Sequence, residues 1–240
     1  MKELEKNKKV VFTVITRNYD RNYEPDFKKS SEIDYLLFTD NKSIKSKFWK
    51  VKYLNKSQNP ILMNRELKIY PFKILEDYDQ SIYVDGHIKL LNCLMPIFKE
   101  NLNYDWAGPK HRFGNNVIDE AFRCFDASKI SFSELKDFVL TNIDLDFNNL
   151  PFPECGLIFR KHNDEVKEFS RIWRELFTIG PYRDQMHWQK AYLKKKINFS
   201  YLNFSFSDEN SFVKIGKHKS FKYDYLMKKV KMLIRKKVFG

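Results

Sequence analysis

Glycine and proline are scarce in this chain, 7 and 8 in 240 residues, which excludes a fibrous or linker-rich protein. No stretch approaches the ~18 consecutive apolar residues that a membrane span needs. The opening MKELEKNKKVVF carries charge but no apolar segment of signal-peptide length, so a cytoplasmic location is expected. Cysteine is sparse too. Cys93, Cys124 and Cys155 are an odd number without a Cys-x-x-Cys pair. They read as reduced, mostly buried thiols, not as disulfides or a zinc site.

What is present suits one sizeable α/β domain. The hydrophobic fraction is 42% and the aromatic fraction 16%, enough for a substantial core. The net charge is +13, but nine Lys or Arg and one Asp fall in residues 217–240, leaving +5 for the rest. Basic character is therefore mainly a property of the tail, which argues against a nucleic-acid channel through the domain. In that tail Leu226, Val230, Leu233, Ile234 and Val238 share one helical stripe, with lysines mostly off it. A basic amphipathic helix of this kind suits an anionic membrane surface, or packs on its own domain. The expected division is a domain over 1–216 and a tail over 217–240.

Along the chain, strands are expected at 9–16, 34–39, 48–54, 81–84, 105–108, 156–160 and 198–204. Helices are expected at 61–75, 94–99, 115–125, 131–140, from 163 or 164 to 177, and 184–195. Pro71 should kink or end the first of them, and Ser131 with Glu134 fits a capping box. Strands alternate with helices, so the fold class is α/β with a mixed, mainly parallel sheet.

The segment SIYVDGHIKL carries the most chemistry. A branched and aromatic strand stops at Asp85-Gly86-His87, which places a carboxylate and an imidazole at a strand tip. Such a pair suits Mn²⁺ or Mg²⁺, and Gly86 lets backbone approach a phosphate. The same dipeptide is also an ordinary turn, and these residues alone do not separate the two readings.

Nine segments in order resemble a glycosyltransferase-A (GT-A) fold family of bacteria and plants, formerly catalogued only as a domain of unknown function. They are Thr13-Val14-Ile15-Thr16 with Tyr19-Asp20; Tyr35 through Asp40; Trp49; Asn64-Arg65 with Lys68 and Pro71; and Ser81 through Gly86. The rest are His111-Arg112; Glu120-Ala121; Glu154 through Ile158 with Arg160 and His162; and Arg183-Asp184-Gln185. The likeness, distantly glycogenin-like, implies a single Rossmann-like GT-A domain. It implies transfer of a sugar from a nucleotide diphosphate, a UDP-sugar by preference, to a glycan or lipid-linked acceptor, with a lean towards retention.

The resemblance also implies roles. Thr16, Arg17, Tyr19 and Asp40 would hold base and ribose. Arg65 and Lys68, three apart and so on one face of a helix, would meet the diphosphate together with Asp85 and Gly86; the alternative is a solvated helix face. Asp184, Gln185 and Glu154 would serve the reacting carbon, although Asp184 could equally be a plain helix cap. His111 and Arg112 would clamp the acceptor. Asp85 and His87 would hold the metal, with His218 as a third ligand. A competing reading is a non-catalytic membrane- or polyanion-binding protein on a degenerate transferase fold, kept open by His87 where a second acid could stand.

Overall fold

A computed structural model describes residues 7–17, 20, 23–147 and 149–216. Tyr19, His218 and the whole basic tail lie outside the described residues.

β1 (Lys9–Ile15), β2 (Ile33–Thr39), β3 (Lys50–Tyr53) and β4 (Gln80–Val84) run parallel. A two-stranded ribbon partner, β5 (Ile88–Leu90), follows β4 directly. Beyond it come β6 (Trp106–Gly108), β7 (Leu157–Lys161), β8 (Phe199–Tyr201) and β9 (Val213–Ile215). The main sheet has seven strands in the order β3-β2-β1-β4-β7-β6-β8. β7 pairs antiparallel with both β4 and β6, and β6 pairs parallel with β8. The fold is thus mixed α/β, Rossmann-like, with a mostly parallel central sheet, as expected.

Alternation along the inner strands divides the core into two layers, because successive side chains point to opposite faces. Val11, Ile15, Leu37, Ile82, Val84 and Phe159 pack on one side with α2 (Met95–Glu100). Val10, Phe12, Phe38, Tyr83 and Ile158 pack on the other, beneath α5 (Asp164–Ile179) and α6 (Asp184–Lys194). A third cluster joins α3 (Val117–Asp126) and α4 (Phe132–Asn142) to Met186 of α6.

Local chemistry sets the helix ends. Asn59 accepts a hydrogen bond from the Leu62 amide and Pro60 occupies the first turn, so α1 (Pro60–Ile69) starts there. It stops at Tyr70, and Pro71 opens a separate turn. The proline ends the helix instead of kinking it, because its ring would clash with the preceding turn. Ser131 and Glu134 form the expected capping box of α4. Asn163 caps α5 through the Val166 amide.

Two elements differ from expectation. The ribbon β5/β9 carries no periodicity in the sequence, and the late strand is shorter than expected, confined to Phe199–Tyr201. Among the described residues no helix is long and apolar enough to cross a membrane. All three cysteines are free, with Cys124 and Cys155 buried and Cys93 partly so.

Candidate active site

The C-terminal tips of β1, β2 and β4 lie at one edge of the sheet, because the three strands run parallel. The register Val84 opposite Leu157 brings the start of β7 to that same edge. Thr16, Asp40, Asp85 and Glu154 therefore converge although they are far apart in sequence. This is the edge at which open α/β sheets bind ligands.

Asp85 points to the same face as Tyr83, two residues earlier on the pleat. Its Oδ1 accepts from the Tyr83 hydroxyl at 2.7 Å and faces Arg65 and Lys68 of α1, each at 3.4 Å. The same two cations reach Asp184 at the start of α6, Arg65 at 3.5 Å and Lys68 at 2.6 Å. Two carboxylates and two cations thus form a closed network, with Lys68 only 2% exposed. Burial opposes ionisation of Asp85, but Lys68 and Arg65 more than offset it and hold the carboxyl below its usual value. Asp184 is also buried, and Arg65 followed by Lys68 holds it well below the usual carboxylate range. Both acids are ionised at neutral pH.

Asp184 is not a cap. α6 begins after Arg183 without a side-chain cap hydrogen bond, and the Asp184 carboxylate turns to α1 instead. Arg65 and Lys68 do share a face, but that face is turned to carboxylates and Lys68 is not solvated.

Gly86 has space for no side chain. An added Cβ would lie 2.8 Å from Ile15 Cγ1 and 3.0 Å from Asp20 Cβ. The turn at Asp85-Gly86-His87 is real, since the Ile88 amide donates to the Asp85 carbonyl. Turn and strand-tip carboxylate therefore coexist. The His87 carbonyl accepts from the Gly216 amide at 2.7 Å, so the ribbon returns the chain to His87.

The cleft has two lobes. One, of about 430 Å³, is lined by Thr16, Arg17, Asp20, Asn64 and Arg65 with Asp85. The other, of about 530 Å³, is lined by His87, His111, Arg112, Glu154, Asp184 and Gln185 among others. Asp20, Arg65, Asp85 and Arg183 border both. In the first lobe the Thr16 hydroxyl donates to the Pro60 carbonyl at 2.8 Å. Asp40 accepts from the Arg17 amide at 2.9 Å and so holds Arg17 at a positive φ of 55°.

In the second lobe Arg112 grips Glu154 with Nε and Nη2, at 2.5 and 3.1 Å, and with its backbone amide at 3.0 Å. Gln185 brackets Glu154 from both sides, accepting from the Cys155 amide and donating to the Pro153 carbonyl. His111 Nδ1 accepts from the Phe113 amide, so its Nε2, 3.4 Å from Glu120, carries the proton. Phe152 stacks on the ring at 4.5 Å. Glu120 also meets Arg123 at 3.6 Å and the Cys124 thiol at 3.3 Å.

Sequence reasoning quoted Tyr83 and Arg183 within its segments but assigned neither a role. Tyr83 was within reach of it, because residues two apart on a strand face the same way. The outlying residues Arg160 and His162 serve the far end of the sheet: Arg160 donates to the Ile69 carbonyl and His162 pairs with Ser81.

For a divalent cation the donor chemistry fits in part. Asp85 Oδ1 is taken by three donors, while Oδ2 faces the cleft beside Gly156, and His87 lines the same lobe. Among the described residues no group of three or more His, Cys, Asp or Glu is gathered as a metal site. The His218 of the expected set lies outside the described residues.

No family model matches the chain. Over 79 residues it is 32% identical to the histidine–tRNA ligase of Clostridium novyi (strain NT). That stretch is 32% of this chain and 18% of the ligase, so the chain spans less than a fifth of the length of that curated relative.

Proposed function

We propose that the protein is a GT-A glycosyltransferase that moves a sugar from a nucleotide diphosphate, preferably a UDP-sugar, to an acceptor hydroxyl. One observation carries the reading: the Asp85 carboxylate at the tip of β4 borders both lobes of a cleft at the ligand edge of the sheet. The nine-segment resemblance supports it, as does a mainly parallel sheet.

In this reading the lobe at Thr16, Arg17 and Asp40 takes the nucleoside, with Tyr19 as a proposed stacking ring. Asp85 and His87, with His218 as the proposed third ligand, would hold Mn²⁺ or Mg²⁺. That cation would supply Lewis-acid charge to the departing diphosphate. Arg65 adds a partly exposed guanidinium at the junction of the lobes, and Lys68 fixes both carboxylates from beneath. Asp184, ionised and almost dry, opposes the positive charge that develops on the sugar ring of an oxocarbenium-like transition state. Glu154, oriented by Arg112 and Gln185, receives the acceptor beside His111. A retaining outcome and a lipid-linked acceptor reached through the basic tail complete the proposal.

The test is thermal stabilisation by UDP with and without Mn²⁺, in the wild type, Asp85→Asn and His218→Ala. The reading expects metal-dependent stabilisation that Asp85→Asn abolishes and His218→Ala weakens. An equal response of all three proteins, or none at all, overturns it. A second reading, polyanion binding without catalysis, draws on one observation: the Glu154 carboxylate is fully engaged by Arg112. It predicts binding of anionic vesicles but no metal-dependent nucleotide effect.

A further inference from the structure

A third cavity, of about 800 Å³, shares no lining residue with either lobe of the cleft. It does share a wall with the second lobe. Residues 109–111 and 152–154 run side by side there: the His111 amide donates to the Phe152 carbonyl and the Glu154 amide to the Pro109 carbonyl. Lys110 and Phe152 line the cavity, while His111 and Glu154 line the lobe. The loop that follows divides in the same way, with Phe113 on the lobe and Gly114 and Asn115 on the cavity. Phe113 is 56% exposed at that divide, and the guanidiniums of Arg112 and Arg123 hold its ring at 4.9 and 4.1 Å.

The cavity offers an aromatic ring and side-chain amides. Tyr201 of β8 is 39% exposed. Its hydroxyl accepts from the Phe152 amide at 2.8 Å and its ring meets Phe199 edge-on at 4.9 Å, so the ring is fixed in place. Asn115 and Asn149 are exposed, and neither side-chain amide has a hydrogen-bond partner among the described residues. None of the described lining residues is acidic. A fixed ring takes the C–H face of a pyranose, and an amide pairs a donor and an acceptor with neighbouring hydroxyls. The volume suits an organic ligand of several rings. An extended peptide suits the place less well: β8 is the outer strand of the sheet but only three residues long, which leaves little edge to pair with.

We propose that this cavity binds the saccharide chain of the acceptor, holding the units that trail the sugar in the second lobe. Tyr201 is the stacking ring, Asn115 and Asn149 meet the hydroxyls, and the chain crosses from lobe to cavity over Phe113. Saccharide binding stands on the cavity itself; its part in transfer rests on the transferase reading.

The experiment is calorimetric titration of the full chain with cellohexaose, maltohexaose, chitohexaose and hyaluronan hexasaccharide, against glucose and N-acetylglucosamine. Wild type, Asn115→Ala and Tyr201→Ala are compared, and thermal stabilisation by UDP with Mn²⁺ is followed in each. At least one hexasaccharide should bind about tenfold or more tighter than the monosaccharides, because lobe and cavity are filled together. Its binding should weaken about tenfold in Tyr201→Ala and about fivefold in Asn115→Ala, the size of one ring contact and one hydrogen bond. The UDP response should not change. The Asn115 side chain is exposed, so Asn115→Ala keeps the test valid if Tyr201→Ala folds poorly. No hexasaccharide binding at millimolar concentration, or equal binding by all three proteins, overturns the proposal. A UDP response beside that negative result leaves the transferase reading standing. Hexasaccharide binding that the variants weaken, without any UDP response, keeps the saccharide site and removes the transferase reading.

Discussion

Lys68 Nζ lies 2.6 Å from the carboxylate of Asp184 and is itself only 2% exposed. The pair ties the middle of α1 to the first turn of α6, and Asp85 completes it from the sheet. Removing the ammonium leaves the buried Asp184 and the partly buried Asp85 with only Arg65 to hold them. Lys68→Met is expected to cost about 3–5 kcal/mol, the range for breaking one side of a buried pair. Urea denaturation measures it. Lys68→Met with Asp184→Leu should recover part of the loss, and strict additivity of the two changes would refute the coupling.

Gly86→Ala should destabilise the protein by roughly 1–3 kcal/mol through overpacking. The new methyl meets Ile15 at 2.8 Å, and Ile15 is a fully buried strand residue with little freedom to move. The same substitution should weaken UDP binding, because it pushes on the wall that the two lobes share. Unchanged urea midpoints would refute the steric account.

Arg112→Gln is expected to spare nucleotide binding and to suppress transfer. It frees Glu154, 8% exposed, from its guanidinium clamp without touching the first lobe. Steady-state kinetics with separate donor and acceptor titrations decides the matter: the loss should appear in kcat and in acceptor KM, while donor KM stays fixed.

Acid should unfold the protein through its buried imidazoles. Burial lowers His187 to about 4, although its hydrogen bond to the Pro181 carbonyl opposes the shift. Burial lowers His162 to about 4 as well. The unfolded chain takes these protons near pH 6.5, where the folded chain still refuses them. Stability is therefore complete above about pH 6.5 and falls as pH drops towards 4, by on the order of 2 kcal/mol for His187. Urea midpoints at pH 7 and pH 5 test this. His187→Phe should flatten the dependence by about one proton.

Much of the frame was legible in the sequence. The apolar runs of β1, β2, β4 and β7, the cap at Asn59 and the stop at Pro71 are local signals, and local rules read them. Asp85 was legible for the same reason, since a strand that ends in Asp-Gly announces itself. What Lys68 touches was not. Three-residue spacing gives a shared helix face, but only the packing of α1 against α6 decides whether that face meets water, phosphate or Asp184. Arg183 lay in a segment that carries the resemblance, but its place on the border of both lobes follows only from the packing of α6. The β5/β9 ribbon was hidden because two three-residue strands far apart in the chain leave no period to detect.

The one antiparallel strand of the main sheet has a consequence for how the molecule is assembled. β7 enters the sheet between β4 and β6, so the pairing of Val84 with Leu157 must close a long stretch of chain before the strand tip has its second neighbour. Contacts of such sequence separation are slow to form. Asp85 meets Lys68 and Arg65 within a short stretch of chain, whereas Asp184 reaches the same two cations only across more than a hundred residues. The charge balance of the cleft is therefore a long-range property of the chain, completed only when α6 is present. A nascent chain halted before α6 would carry Lys68 and Asp85 without the partner that settles them.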